Sequence, residues 1–218
     1  MDSIFPLAAI ITIVILVFSA ILHEIAHGFV ADKLGDPTAR LMGRLTLDPR
    51  KHIDPFLSII LPLLLFLSNS GIIFGGAKPV PVDPFNLKDG RKDIALVSLA
   101  GPATNIVLAI IGSVIFKLLF PGQSLFLGQQ GSMLGYIVGS VVHINLLLAI
   151  FNLLPIPPLD GSKIFALILP QEIADRYLSL ASIGTLILIF LLMFPIGGFS
   201  LMGFVSQIYI SSLTLLGL

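Results

Sequence analysis

The sequence predicts an all-α polytopic membrane protein with about five to six transmembrane helices and a re-entrant or extended segment near residues 55–84. Hydrophobic residues make up 56% of the 218-residue chain and charged residues only 11%, whereas an ordinary soluble domain has roughly 25% charged residues. The mean hydropathy is +1.05. A helix needs about 20 apolar residues to cross a bilayer. Long apolar runs recur along the whole chain, at 4–22, 55–67, 94–120, 133–151, 177–195 and 199–218.

The first apolar run ends in a pattern that is typical of a metal site, His23-Glu24-Ile25-Ala26-His27. Two imidazoles four residues apart on a helix point to one face, where both can bind a single Zn²⁺, and the carboxylate between them can act as a general base toward water. Ionisable groups in hydrocarbon are costly, so this cluster indicates a functional site rather than a chance match. No basic segment precedes the run, as one would in a cleavable signal peptide, so we expect the helix to be retained.

A tetrahedral catalytic zinc takes three protein ligands, so a third ligand must come from elsewhere in the chain. Because the chain has no cysteine, the candidates are His52, His143 and Asp160. Asp160 closes a proline-rich break at 152–161, and Gly161 would let the chain turn and aim the carboxylate back toward the bundle. His143 precedes it by about 25 Å along a continuous helix, too far to share the ion. His52 is expected to be solvated.

A second group of motifs follows the first at the spacing of a known family. The His23-Glu24-x-x-His27 pattern is followed, well over a hundred residues later, by Asn152-x-x-Pro155 and Leu159-Asp160-Gly161, and the segments at 77–82 and 101–105 add to the likeness. In these motifs, over about residues 15–165, the chain resembles the site-2 protease family of intramembrane zinc metalloproteases. Many members of that family insert a PDZ domain. No stretch here is long and polar enough to be one, so the chain resembles the compact form.

The resemblance implies an activity and a set of site residues. It implies a zinc metalloendopeptidase with one Zn²⁺ per chain, bound by His23, His27 and Asp160. In that reading Glu24 activates water, and Asn152 is a polar contact near the reacting carbonyl. The implied function is hydrolysis of peptide bonds within or near the transmembrane segments of membrane proteins, in regulated intramembrane proteolysis or in the clearance of membrane peptides.

The distribution of basic residues predicts the orientation. Eleven of the twelve Lys and Arg residues lie at 33–51, 78–92 and 163–176, and the positive-inside rule puts these segments in the cytoplasm. The run at 55–74 lies between two of them, so we expect it to cross an even number of times, as a re-entrant loop or short hairpin. A single crossing would strand Asp160 about 30 Å from the histidines. The C-terminus is then expected inside, with the active site toward the cytoplasmic side of a prokaryotic plasma membrane.

The chain is expected to form one integral-membrane domain over 1–218, with a core at about 4–165 and an additional C-terminal helical hairpin at 177–217. Prolines at every second or third position predict that 72–84 is extended chain, either a rigid connector or an edge strand. The resemblance favours an edge that holds an unwound substrate by strand addition. The expected partners are therefore a membrane-protein substrate with a transmembrane helix and the lipid bilayer. A formal net charge of zero gives no argument for nucleic acid.

The same residues are also compatible with a function of another class. Ligands inside a membrane also mark ion routes, so the alternative is a divalent-metal transporter, or a metal-binding membrane protein without protease activity. Glu24 separates the two, because only a hydrolase needs it as a base.

Three further polar residues lie in apolar runs. Asn105, Asn145 and His143 can each hydrogen-bond across helices, a contact worth roughly 1 kcal/mol. This interpretation is favoured for Asn145, whereas packing or water binding is expected of His143. Asn105 ranks below Asn152 as a catalytic contact, because Gly101-Pro102 suggests close packing or a kink first.

Overall fold

The computed structural model describes residues 4–55, 60, 63–64, 67, 77–125 and 132–218. Within these ranges the chain is helical, and its only β feature is an isolated antiparallel bridge between Ile196 and Phe199. The all-α class is thereby confirmed for this part of the chain. The helices are α1 (Ile4–Leu34), α2 (Thr38–Leu41), α3 (Arg91–Leu119), α4 (Met133–Asn152), α5 (Asp160–Ala166), α6 (Gln171–Ser179), α7 (Ala181–Met193) and α8 (Leu201–Leu216).

Three helices, α1, α3 and α4, are long and apolar enough to cross a membrane. The α6 and α7 helices meet at a bend of 67° and add a fourth crossing only if the pair is one span, while α8 is a shorter apolar helix. The described residues thus contain three to four candidate spans, where the sequence suggested five to six. The run at 55–74 lies mostly outside the described residues, and the re-entrant expectation with it.

The α3 helix lies at the centre of the bundle and packs against α1, α4 and α5. Small residues let these helices approach closely. A Cβ on Gly112 of α3, for example, would lie 2.9 Å from Val142 Cγ2 of α4. The largest apolar core lies where α3, α4 and α8 meet, and includes Ala109, Phe116, Val142, Leu146, Ile150, Val205 and Leu213.

After α1, the chain leaves the bundle and returns to the same end of it. Asp36 is fully buried just beyond α1, and its carboxylate accepts hydrogen bonds from the N–H groups of Thr38 and Asp83 and from the side-chain amide of Asn86. The residues before α3 therefore lie beside the end of α1. This return is what an even number of crossings between them requires.

The Asp36 carboxyl stays ionised because of these contacts. Burial raises its pKa, but the hydrogen bonds from Thr38, Asn86 and Asp83 outweigh burial and hold the pKa below its ordinary value. Asp36 is therefore a charged anchor that joins two segments far apart in the sequence.

The expectation that His52 is solvated is wrong. His52 is fully buried, its Nε2–H donates to the Thr46 carbonyl at 2.8 Å, and its own carbonyl accepts from the Lys78 N–H at 2.7 Å. Burial lowers the pKa of its imidazole. The sequence pattern was misleading because a basic loop need not be a solvated one, and this loop folds back over the end of α1.

The break between α4 and α5 turns Asp160 back toward the bundle, as expected, but by another means. A Cβ on Gly161 would lie 2.2 Å from the Leu153 carbonyl oxygen, so glycine is needed for close packing of α5 on the end of α4 rather than for a sharp turn. At the other end of α5, the Arg91 guanidinium donates to the carbonyls of Ala166 and Leu169. Both ends of this short helix are fixed.

The C-terminus lies at the opposite end of the bundle from α5, so the expectation that it is on the same side as Asp160 is wrong. The α8 helix ends at Gly217, where a Cβ would lie 2.6 Å from Lys117 Nζ in the last turn of α3. The physical reason lies in α7. The apolar run at 177–195 is bent by 67° where α6 meets α7, and the 13 residues of α7 span only about 20 Å, so this run is not the straight span that the expectation required.

Replacing Asp36 with alanine should lower the free energy of unfolding by about 2–3 kcal/mol, because it leaves buried donors without an acceptor. Thermal melting of the purified protein in detergent measures this. The folded-state pKa of Asp36 is depressed, so its contribution is present above about pH 4, the ordinary pKa of an aspartate, and is lost as the pH falls through the folded-state pKa.

The matched control is Asp32→Ala, which removes an exposed ion pair with Arg40. Exposed pairs contribute about 0–1 kcal/mol, so this variant should melt close to wild type. Equal melting temperatures for the two variants would contradict the anchoring role of Asp36.

Candidate metal centre

Three buried side chains from two helices converge on one point. His23 and His27 come from α1 and Asp160 is the first residue of α5, and each is exposed by 8% or less. The two Nε2 atoms lie 3.0 Å apart. Asp160 Oδ2 lies 3.2 Å from Nε2 of His23 and 3.1 Å from Nε2 of His27. In the described part of the chain, this is the group whose ligand atoms are close enough to share a metal ion.

The hydrogen-bond partners of the two Nδ1 atoms determine whether each Nε2 atom carries a proton or a lone pair. Nδ1 of His27 lies 2.6 Å from the Val97 carbonyl oxygen, which only accepts, so Nδ1 carries the proton and Nε2 a lone pair. Nδ1 of His23 lies 2.6 Å from Asn105 Oδ1, which sets the same tautomer. Two lone pairs and a carboxylate oxygen therefore meet about 3 Å apart, and they repel one another unless a cation lies among them.

The arrangement fits a tetrahedral zinc ion. Zinc bonds of about 2.0–2.1 Å place neighbouring tetrahedral ligands about 3.3 Å apart, close to the observed 3.0–3.2 Å. Gly101 on α3 keeps the space beside them open, because a Cβ there would lie 2.5 Å from Nε2 of both His23 and His27. Three protein ligands, all nitrogen or oxygen, are typical of a catalytic zinc site, whereas a closed structural site has four.

Glu24 lies next to His23 in sequence, but its carboxylate is directed to a different partner. Its Oε2 accepts a hydrogen bond of 2.8 Å from the Val80 N–H. Val80 belongs to the non-helical segment 77–83, which packs closely on α1 because Gly28 has no side chain: a Cβ there would lie 2.8 Å from Val80 Cγ1. Arg44 holds the same segment by donating to two of its carbonyls.

Asn152 is not among the residues that the structure brings to the cluster. Its amide nitrogen donates to the Leu148 carbonyl one turn earlier, at 2.9 Å, and no hydrogen bond between described residues links it to the histidines or to Asp160. The contact that sequence reasoning ranked lower is the one that touches the site, since Asn105 binds His23 directly. Its spacing of four residues from Gly101, which puts both on one helical face, was the signal that could have found it.

The other polar residues in the apolar runs hold helices together, which was the expectation for Asn145. His143 Nδ1 lies 2.6 Å from the Tyr209 hydroxyl of α8 and takes no part in the cluster. Asn145 donates to the Ser19 hydroxyl of α1 and accepts from Asn105 of α3, so one side chain of α4 joins three helices.

Comparison with known proteins agrees with this geometry. The model of peptidase family M50, the site-2 protease family, matches residues 11–195, most of the chain. The chain belongs to this family. No solved structure matches the chain significantly.

Three curated relatives from bacteria and archaea are similar over most of the chain. "Putative zinc metalloprotease YwhC" of Bacillus subtilis is 37% identical over 198 residues, which is 90% of this chain and 87% of the relative. "Putative zinc metalloprotease Rip2" of Mycobacterium tuberculosis is 36% identical over 80% of this chain and 62% of its own length. "Putative zinc metalloprotease MJ0611" of Methanocaldococcus jannaschii is 33% identical, over 69% and 71% respectively.

Replacing Asp160 with alanine should weaken zinc binding by at least about 100-fold, because the loss of even an outer partner of a ligand typically costs 10–100-fold. Gly101→Ala should have a similar effect by filling the space between the histidines. Titration of the purified protein against a competing chromophoric chelator measures both.

His143→Ala is the matched control, because it removes another imidazole, partly buried in the same bundle, without touching the cluster. Its zinc affinity should equal that of wild type. If Asp160→Ala also binds zinc as tightly as wild type, Asp160 is not a ligand.

Proposed function

We propose that the protein is a zinc metalloendopeptidase that cuts membrane-protein substrates within or near their transmembrane segments. The convergence of the His23 and His27 Nε2 atoms with Asp160 Oδ2 at 3.0–3.2 Å supports this most directly. Membership of peptidase family M50 and the names of the zinc metalloprotease relatives support the metallopeptidase class. In this proposal His23, His27 and Asp160 hold one Zn²⁺ per chain.

The proposed chemistry assigns proton transfer to Glu24. When bound, zinc would polarise the scissile carbonyl and lower the pKa of water at the site to about 7. Glu24 takes the proton of the attacking water and later gives it to the leaving amine. Its hydrogen bond from the Val80 N–H restricts the carboxylate to one orientation beside the cluster.

Asn152 is proposed as the polar contact near the reacting carbonyl. One N–H of its side-chain amide donates to the Leu148 carbonyl, and the second N–H would donate to an oxyanion that develops nearby. A movement at the end of α4 would bring this group toward the substrate.

The segment at 77–83 is proposed to hold the substrate. A peptide bond inside a helix is shielded, so a substrate span must unwind before it is cut. Strand addition to 77–83 would capture the unwound chain through main-chain hydrogen bonds, directly beside Glu24. Because Pro79 and Pro81 have no N–H, the added strand would donate more hydrogen bonds to this segment than it accepts.

The proposed setting is a prokaryotic plasma membrane that the chain crosses several times, with the site toward the cytoplasm. All of the basic clusters lie near the ends of α1, α3 and α5 that surround the site, which suits a cytoplasmic face. The return of residues 83–86 to Asp36 supports a re-entrant path for the run at 55–74. A count of five to six spans would need further crossings outside the described residues.

Glu24→Gln should retain zinc and melt like wild type but cut a membrane-spanning substrate about 10²–10⁴ times more slowly, because it removes the general base and keeps the shape. The measurement is cleavage of a single-span substrate in detergent micelles, with and without chelator. In the same variant, a photo-crosslinking residue at Val82 should capture uncut substrate.

The control for this assay is a substrate whose span carries a helix-breaking proline, which wild type should cut faster because unwinding costs less. Cleavage by Glu24→Gln at the wild-type rate would refute the role of Glu24. If wild type moves zinc into liposomes and cuts nothing, divalent-metal transport replaces the protease.

Single cysteines at Arg40 and Lys88 should both be labelled from the cytoplasmic side, and one at Gln123 from the other. The chain has no cysteine of its own, and all three positions are exposed. Impermeant maleimides applied to intact cells and to inverted vesicles make the measurement. Labelling of positions 40 and 88 from opposite sides would disprove the return of the chain between α1 and α3.

A further inference from the structure

A buried chain of amide hydrogen bonds runs from the backbone of α4 to the metal centre. Asn105 and Asn145 are both fully buried. Asn145 Nδ2 lies 2.8 Å from the Val141 carbonyl oxygen and 2.9 Å from Ser19 Oγ. Asn145 Oδ1 lies 2.8 Å from Asn105 Nδ2, and Asn105 Oδ1 lies 2.6 Å from His23 Nδ1.

The direction of this chain is fixed at its backbone end. A carbonyl oxygen only accepts hydrogen bonds, so the Asn145 atom that faces Val141 must be the amide nitrogen, and the Asn145 oxygen must then face Asn105. Asn105 must therefore place its amide nitrogen against the Asn145 oxygen, so that the Asn105 oxygen faces His23.

The orientation of Asn105 determines which ring nitrogen of His23 carries the proton. Since Asn105 presents an oxygen, His23 must carry its proton on Nδ1 and leave Nε2 with a lone pair. The reversed chain would place the Asn145 oxygen against the Val141 carbonyl oxygen, and two buried acceptors that face each other without a donor are unfavourable.

We propose that Asn105 and Asn145 are positioning residues that hold His23 in the tautomer and orientation required of a metal ligand. The inference rests on the proposed zinc site and adds two residues to it, one of which touches neither the metal ligands nor any reacting atom. His27 needs no such relay, because the Val97 carbonyl fixes its tautomer directly. The relay also joins α1, α3 and α4 at one point, so the packing of these helices sets the chemistry of the site.

The informative variant is Asn145→Leu, which is similar in size and distant from the cluster. It leaves the Asn105 amide free to turn its nitrogen toward His23, which would move the ring proton to Nε2 and block the ligand atom. Asn105→Leu removes the acceptor itself. Asn105→Asp presents only acceptor oxygens, so it gives the Asn145 oxygen no donor but keeps the acceptor for the Nδ1 proton.

The first measurement is zinc affinity of the full-length purified protein in detergent, by chelator competition. Asn105→Leu and Asn145→Leu should each bind zinc about 10–100-fold more weakly than wild type, while Asn105→Asp should stay within about threefold. Ser113→Ala is the matched control: Ser113 is a buried residue of α3 whose hydroxyl, among the described residues, donates to the Ala109 carbonyl of its own helix, so zinc affinity should not change.

The second measurement needs no metal. In metal-free protein labelled with ¹⁵N-histidine, long-range proton–nitrogen spectra report which ring nitrogen of His23 is protonated, and a His23→Gln sample identifies its signals. Wild type should be protonated on Nδ1, and Asn145→Leu should give a mixture or the Nε2 form.

The two readouts separate the relay from the zinc site. If wild type fails to bind zinc but shows the Nδ1 form that Asn145→Leu loses, the proposed function fails and the relay stands. When wild type binds zinc, the relay is overturned if both leucine variants bind it equally tightly or if Asn105→Asp loses as much affinity as Asn105→Leu. Whether or not wild type binds zinc, the relay is overturned if the His23 tautomer is the same in Asn145→Leu as in wild type.

Discussion

The repulsion among three buried electron-pair donors is the constraint on which the rest of this structure depends. Two imidazole lone pairs and a carboxylate oxygen are held 3.0–3.2 Å apart at a depth where water cannot screen them. Such an arrangement is stable only with a cation at its centre or with many contacts that fix each donor. The chain provides those contacts: α5 is fixed at both ends, Gly101 keeps the centre open, and each ring has a second partner.

The central helix α3 carries most of this support without supplying a ligand. Val97 accepts the proton of one imidazole, Asn105 that of the other, and Gly101 lies between them one turn from each. Pro102 follows directly; because it has no N–H, the Ser98 carbonyl lacks its helical donor, next to the Val97 carbonyl that accepts from His27. A helix that looks from its sequence like an ordinary apolar span is therefore the template on which the site is built.

The segment at 77–83 links the site to the loops outside the bundle. It is held by Glu24, Arg44 and the backbone of His52, while Asp36 binds its last residue, Asp83, and also Asn86 beyond it. Any substrate strand that displaced or extended this segment would act on the Glu24 carboxylate through one peptide N–H. In the proposed reaction, the binding of such a strand would therefore be coupled to the orientation of the base.

The sequence by itself determined the all-α class and the pairing of His23 with His27, because periodicity, apolar length and ligand spacing are local properties. Its resemblance to a known family then implied Asp160 as the third ligand. Only the tertiary structure decided that Asn105 rather than Asn152 contacts a ring, that His52 is buried, and that α8 ends beside Lys117. A polar residue in an apolar run has the same local pattern whether it binds a ligand or a neighbouring helix. Which one it binds depends on helix rotation and approach, and these are set by packing between segments that are distant in the sequence.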